Sequence, residues 1–325
     1  MTYIGIKTYE NNSKLIAIQA ELYVLSNKFD ITKTLTNKLF MKKRQLIFRY
    51  LAILPLFLTN IINAQTKQDS IAIINAKWET TEIGKGITLK QTIIPQLYGV
   101  PQSISIIEID KNKNLGIGIT EYGEIVSKSA VKFNAKAAIN GSFFNVKRKH
   151  STCFLKVYTE VIDSTNIRIF EDRITGAVHV NNGKIKITPW SLKIENSYKG
   201  KKGVVLSSGP LMMLDGEYSS FDNCNKVFVE TKHPRSALCI TKDKKVIFVA
   251  IDGRHNNNAG GINLLELRHF LKIIGAKDAI NLDGGGSTTL WAKSMPYNGV
   301  VNYPSDNKKF DHYGEREVAN IIYVR

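Results

Sequence analysis

Two aspartates in this 325-residue chain each close an apolar run and are each followed by glycine. Lys245-Val-Ile-Phe-Val-Ala-Ile251 runs into Asp252-Gly253, and Ala279-Ile-Asn-Leu282 runs into Asp283-Gly-Gly-Gly286. Two carboxylates gathered over a crevice can work as acid and base, attack as a nucleophile or hold a cation. A single Asp-Gly is a common turn dipeptide. Two at matching strand ends, one leading into three glycines, point to a site. Three consecutive glycines cost backbone entropy and pack nothing, so they belong where the backbone approaches a ligand or turns with positive φ. The successive amides of Gly284, Gly285 and Gly286, with the Ser287 hydroxyl, are the donors of an anion-binding nest. Arg254 directly follows the first Asp-Gly, and Arg235 stands beside a rigid proline in His233-Pro-Arg235. A guanidinium can hold a phosphate bidentately, although a solvated surface arginine is the commoner case. Glu266 is either the acid of a helix capping box begun by Asn263 or a third acid of the site.

The elements that must position these groups follow from periodicity. The run 245–251 reads as a buried strand, and 279–282 as a second short one. Between them Leu264, Leu265, Leu267, Phe270, Leu271 and Ile274 recur at helical spacing, with Gly275 where a C-cap belongs. A strand–helix–strand unit of this length predicts a parallel strand pair with a right-handed crossover. Asp252 and Asp283 then share its C-terminal edge, where open α/β sheets bind ligands. Upstream, Ser103–Ile109, Val131–Ile139, Val178–Val180, Lys184–Ile187, Val204–Leu206 and Val227–Glu230 read as strands, as does Ala237–Ile240. Turn signals separate them at Asn181-Asn-Gly183 and Leu214-Asp-Gly216, and Asn140-Gly141 alone reads as a hairpin turn. The expected class is α+β: strand-rich over the first two thirds, then the β-loop-α-β unit, in one mixed-sheet domain over residues 65–325.

Residues 41–64 have the parts of a secretory signal peptide: Met41-Lys-Lys-Arg44, an apolar stretch ending at Leu58, and Ala64 before a polar segment. Residues 1–40 then lie upstream of the true start, the alternative being a 40-residue cytoplasmic arm before a membrane anchor, and the exported chain begins near Gln65, in the periplasm or outside the cell. The apolar run is about nine residues, well short of the roughly 20 that span a bilayer. Without residues 1–64 the net charge falls from +17 to +11, because that segment carries nine basic and three acidic side chains. This favours anionic ligands. The lysine clusters are short and scattered beside turns, and no basic stripe is interleaved with aromatics, which argues against nucleic acid. At 43% hydrophobic and 22% charged the composition is that of a globular protein. Cys153, Cys224 and Cys239 leave room for one disulfide and one free thiol, without metal spacing.

The motifs together resemble the phosphodiester glycosidase family. The resemblance rests on Asn140-Gly-Ser-Phe-Phe144, Ser208-Gly-Pro210, His233-Pro-Arg-Ser-Ala237, Ile251-Asp-Gly-Arg254 and Gly261-Ile-Asn-Leu-Leu-Glu266. It continues through Asn281-Leu-Asp-Gly-Gly-Gly-Ser-Thr288, Tyr303-Pro-Ser-Asp306 and Arg316-Glu-Val-Ala-Asn-Ile-Ile322. Ser142 stands where the family commonly has a second glycine. The resemblance implies hydrolysis of a sugar-1-phosphate diester at the anomeric carbon, with release of free sugar and a phosphomonoester. It makes Asp252, Asp283 and Glu266 the catalytic candidates. Asn140, Arg235, Arg254 and Gly284–Ser287 become the substrate-binding ones. No cofactor is required by this chemistry, and a divalent cation on the same carboxylates stays open. The expected partner is a glycan phosphodiester of the cell envelope or of an exported polymer. Two other classes remain: a non-catalytic polysaccharide-binding protein, with aromatic platforms at the crevice, and a metal-dependent phosphodiesterase cutting P–O bonds.

Overall fold

The computed structural model describes residues 67–325, so the signal segment and the residues before it lie outside the described part. Seventeen strands form three sheets. The largest runs β1 (Glu79–Gly84), β2 (Ile87–Leu97), β3 (Val100–Ile109), β14 (Val246–Ile251), β13 (Arg235–Thr241), β15 (Ala276–Asn281), β11 (Leu211–Leu214) and β12 (Glu217–Tyr218). A five-stranded sheet follows the order β7 (Glu160–Asp163), β6 (Leu155–Val157), β10 (Val204–Ser208), β8 (Gly176–Asn181) and β9 (Lys184–Pro189). The third is β16 (Leu290–Ala292), β5 (Ala137–Asn140), β17 (Val318–Val324) and β4 (Leu115–Glu124). With short helices between strands, the fold is α+β as expected.

The expected parallel neighbours are not neighbours. β13 lies between β14 and β15 and pairs antiparallel with both. The two strands therefore run in the same direction, one strand apart, and their Asp-Gly ends still emerge at one edge. A helix crossover gives two strands a common direction but does not make them adjacent, and β13 is inserted between them. β14 is apolar throughout because both of its faces are covered. Val246, Phe248 and Ala250 enter a core shared by all three sheets. Ile247, Val249 and Ile251 face helix Leu264–Ile273 through Leu267, Phe270 and Leu271. An antiparallel strand so enclosed has the same signature as a parallel one.

Two short segments expected as strands are helical where helices were not expected. Val131 ends up in helix Val126–Lys132, which packs Val126 and Ala130 against Trp291 and Ile321; only Ala137–Asn140 of the run 131–139 is strand. Residues 226–230 are one helical turn, because the Asn225 side chain accepts from the Phe228 amide and caps it. The Asn182-Gly183 and Asp215-Gly216 turns take positive φ at both residues, as type I′ turns require. Asn140-Gly141 is no hairpin: it is the end of β5, and the Gly141 amide donates to the Asn320 carbonyl on β17. All three cysteines are free thiols, Cys153 and Cys239 fully buried.

Candidate functional site

Antiparallel pairing gathers strand ends and strand starts at one edge. β14 and β15 end there in Asp252 and Asp283, and β13 begins there at Arg235. β5 ends in Asn140 beside the start of β17, just after Arg316. Side chains knit these ends together. Asn140 donates to the Asp283 carbonyl (2.6 Å) and accepts from the Ser236 hydroxyl (2.7 Å) and the Thr289 amide (3.1 Å). The Asp283 amide donates to the Gly141 carbonyl, and Leu282 to Ser236. On the other flank Asn281 donates to the Gly209 carbonyl (2.7 Å), and the Ser208 hydroxyl to the Asn281 carbonyl. Asn140, wholly buried and bonded on both side-chain atoms, ties β5 to β13 and to the turn after β15.

Arg235 and Glu266 are likewise taken up by the fold. The Arg235 guanidinium is buried and donates to the carbonyls of Ile262, Phe228 and Thr231, so it ties the short helix at 226–230 to the loop before Asn263. Its Nε and one terminal nitrogen are thereby engaged by backbone carbonyls. Glu266 closes the capping box with Asn263, the first of its two readings, and accepts from Lys232 at 2.6 Å. The nest is also smaller than expected. Gly284–Ser287 is a tight turn in which the Gly285 amide donates to Pro234 and the Ser287 amide to Gly284. Those two donors are spent on the fold.

What the glycines do instead is let two arginines close in. Gly285 takes φ +61, and a Cβ there would stand 2.8 Å from the Arg254 guanidinium. A Cβ on Gly286 would strike Arg316 and its ion-pair partner Asp306. Arg254 is exposed and itself holds φ +66, a costly conformation for a side chain of this size. Arg254, His255, Ser305, Asp306, Lys308 and Arg316 line a cleft of about 290 Å³. A third arginine, Arg173, follows helix Ile167–Asp172 and lies over the rings of Phe143 (5.2 Å) and Phe228 (4.4 Å). Its buried Nε has no hydrogen-bond partner.

Asp283 sits against this set. Burial pushes its carboxyl up to about 6, while the Ser287 hydroxyl, Arg316 and Arg173 pull the other way. Its titration range is that of a group able to change state near neutrality. Asp252 has a comparable value, about 6, again through burial, but a different setting. It is 1% exposed, and its oxygens accept from Ser103 (2.8 Å), Asn302 (2.9 Å) and the Tyr303 amide (2.9 Å). The two carboxylates share none of these partners. Asp252 braces the loop after residue 300, and Asp283 is the carboxylate beside the arginines. Among the described residues no three His, Cys, Asp or Glu side chains gather to hold a metal ion. Sequence reasoning gave no role to Arg316 and did not single out Arg173. Each stands in a short charged run, Glu171-Asp172-Arg173 and Glu315-Arg316-Glu317, that reads as a solvated surface, and only the folded edge brings them to Asp283.

This geometry makes Gly286→Ala informative. The displaced atoms are the tips of Arg316 and Asp306, so melting temperature should barely move. Affinity for inorganic phosphate, measured by calorimetry, should fall about tenfold or more, as misplacing a charge-assisted donor pair would require. Unchanged affinity would take the anion out of this cleft.

Residues 133–325 match the family model for phosphodiester glycosidase. Mouse N-acetylglucosamine-1-phosphodiester alpha-N-acetylglucosaminidase is 26% identical over 241 residues, 73% of this chain but only 39% of that protein. The chain thus spans well under half of the mouse protein's length. The catalytic domain of the zebrafish enzyme of the same name superposes with a TM-score of 0.59 at 18% identity, over 77% of this chain and 88% of that one. A hypothetical protein from Synechocystis gives 0.56 at 15% identity, over 76% and 63%. These structures share the fold. The family match covers more than half of the chain and takes in Asn140, Arg173, Asp252, the Asp283–Ser287 turn and Arg316, and the chain belongs to the phosphodiester glycosidase family.

Proposed function

We propose that this chain hydrolyses a sugar-1-phosphate diester at the anomeric carbon, on an envelope or exported glycan outside the cytoplasm. The observation that carries the reading is the arginine-lined cleft over Gly285 and Gly286, with the Asp283 carboxyl beside it. A phosphomonoester leaves readily once its charge is held, and guanidinium groups placed in advance do that without an acid. Arg254 and Arg316 hold the phosphate. The C1–O bond breaks, its electron pair stays with the phosphate oxygen, and water supplies the hydroxyl that ends on C1, its other proton passing to the released phosphate or to solvent. The ionised Asp283 balances the oxocarbenium charge, directly or as base or nucleophile. Family membership supports this reaction class, as does the activity in the name of the mouse relative. Export is supported by the signal-like segment 41–64. Among the described residues no helix is long and apolar enough to cross a membrane.

The test is product analysis on a panel of sugar-1-phosphate diesters in ¹⁸O-labelled water. Label in the released sugar is the expected result. Label in the phosphate would mean P–O cleavage and a phosphodiesterase, and no release from any member would leave a binding protein. Arg254→Ala and Arg316→Ala should each raise KM for the diester by about tenfold or more. Affinity for the free sugar should stay near the parent's in both. Equal losses for diester and free sugar would remove phosphate from these arginines.

A further inference from the structure

A second, larger cleft of about 540 Å³ opens elsewhere, between β2–β3 and the 295–312 segment. Its lining includes Lys77, Glu79, Gln91, Ser103, Tyr303 and His312, with Tyr297 at the mouth, and none of the cleft arginines contributes. Tyr297 is 50% exposed and holds φ +55, followed by Asn298 at +57 and Gly299 at +86. Two successive non-glycine residues in the left-handed region are strained, on the order of 1 kcal/mol or more each. The conformation is enforced. The Trp291 indole donates to the Asn298 carbonyl at 2.7 Å, and the Trp291 ring leaves no room for a side chain at Gly299. What the strain achieves is display of a ring.

That ring heads a ladder. Tyr297 stacks on His312 (4.3 Å, 13°), His312 packs on Tyr303 (4.3 Å), and Tyr303 stacks on Phe310 (4.0 Å, 9°). The His312 Nδ1 is 2.7 Å from the Asn302 carbonyl. A carbonyl only accepts, so Nδ1 carries the proton and Nε2 of the neutral ring is left as an acceptor. Burial lowers the histidine's pKa and so favours that neutral ring. Lys77 and Glu79 offset each other in charge at the rim. A flat exposed ring backed by other rings, with hydroxyl-matching donors and acceptors around it and no net charge, suits an amphipathic uncharged ligand. The C–H face of a pyranose lies on such a ring while its hydroxyls reach the polar rim.

We infer that this cleft is a second binding site, for a neutral saccharide unit, with Tyr297 as its stacking platform. It would hold glycan at a place distinct from the arginine cleft, and it does not depend on the hydrolysis reading. The test uses the full chain and two probes, the trimer of N-acetylglucosamine and maltotriose, by titration calorimetry without turnover. Saturable binding of at least one trimer is expected, undiminished by excess inorganic phosphate. Arg316→Ala should leave it unchanged. Tyr297→Gly removes the ring while accepting the positive φ, so the fold is kept, and it should weaken binding by about tenfold or more. Tyr297→Phe, which keeps the ring, should bind within about threefold of the parent. No saturable binding to the parent, parent-like affinity in Tyr297→Gly, or displacement by phosphate would each overturn the assignment. Product analysis fails or succeeds separately, because it reads bond cleavage and this experiment reads occupancy.

Discussion

Asp283→Asn is expected to cut sugar release by at least about a hundredfold, the scale of losing a positioned acid, base or nucleophile. The melting temperature should stay at or above the parent's. The amide keeps the shape of the side chain but carries no charge toward the anomeric carbon. It also removes a burial cost. The folded carboxyl titrates near 6 and the unfolded one near 3.8, so the folded chain takes up the proton first as pH falls. The carboxylate therefore costs stability above about pH 6, and that cost is relieved between about 6 and 4. The melting-temperature advantage of the variant should be greatest near pH 7 and vanish toward pH 4. For the parent, turnover should rise with pH through about 6, because the ionised form is the working one. Parent-like turnover in the variant would remove Asp283 from the chemistry. A stability gap that does not change with pH would show that its carboxyl is not buried as described.

Much of the edge was legible because glycine and aspartate at strand ends are local signals. The helix Leu264–Ile273, its Asn263–Glu266 cap, Gly275 after it and both Asp-Gly strand ends could be read from short windows. What could not be read was the order of strands. β13 lies ahead of β14 in sequence and beside it in space, yet nothing local says that it also separates β14 from β15. Charged side chains were the other blind spot. Arg235 and Arg254 look alike as sequence, each next to a turn-forming residue. Only the fold shows that Arg235 is spent on three carbonyls while Arg254 overhangs Gly285. As sequence, the triple glycine marks a place where a ligand approaches the backbone; in the structure the groups that close on Gly285 and Gly286 are arginine side chains. An amide nest and an arginine cradle leave the same glycine signature.

Asp252 is the residue on which sequence and structure part most sharply, and two substitutions separate the roles. The sequence makes it a second catalytic carboxylate. The structure closes it beneath the loop after residue 300, where Ser103, Asn302 and the Tyr303 amide all donate to it. In Asp252→Asn the retained oxygen can still accept from Asn302 and Tyr303. The new NH2 can donate to Ser103, whose hydroxyl turns to accept. Turnover should then stay within about tenfold of the parent, far above the loss expected of a working acid or base. Asp252→Ala takes the acceptor from the Ser103 hydroxyl and the Tyr303 amide and one of two acceptors from the Asn302 amide, and should cost roughly 2–5 kcal/mol, from unpaired polar groups and the cavity together. Because Asn302 also carries the carbonyl that orients His312, the same substitution should loosen the Tyr297–His312–Tyr303 ladder and weaken saccharide binding. Denaturant melts and sugar release, measured side by side on both variants, decide it. A stable Asp252→Asn chain with a hundredfold loss of turnover would restore the paired-carboxylate mechanism. Parent-like stability in Asp252→Ala would show that the loop does not depend on this carboxylate.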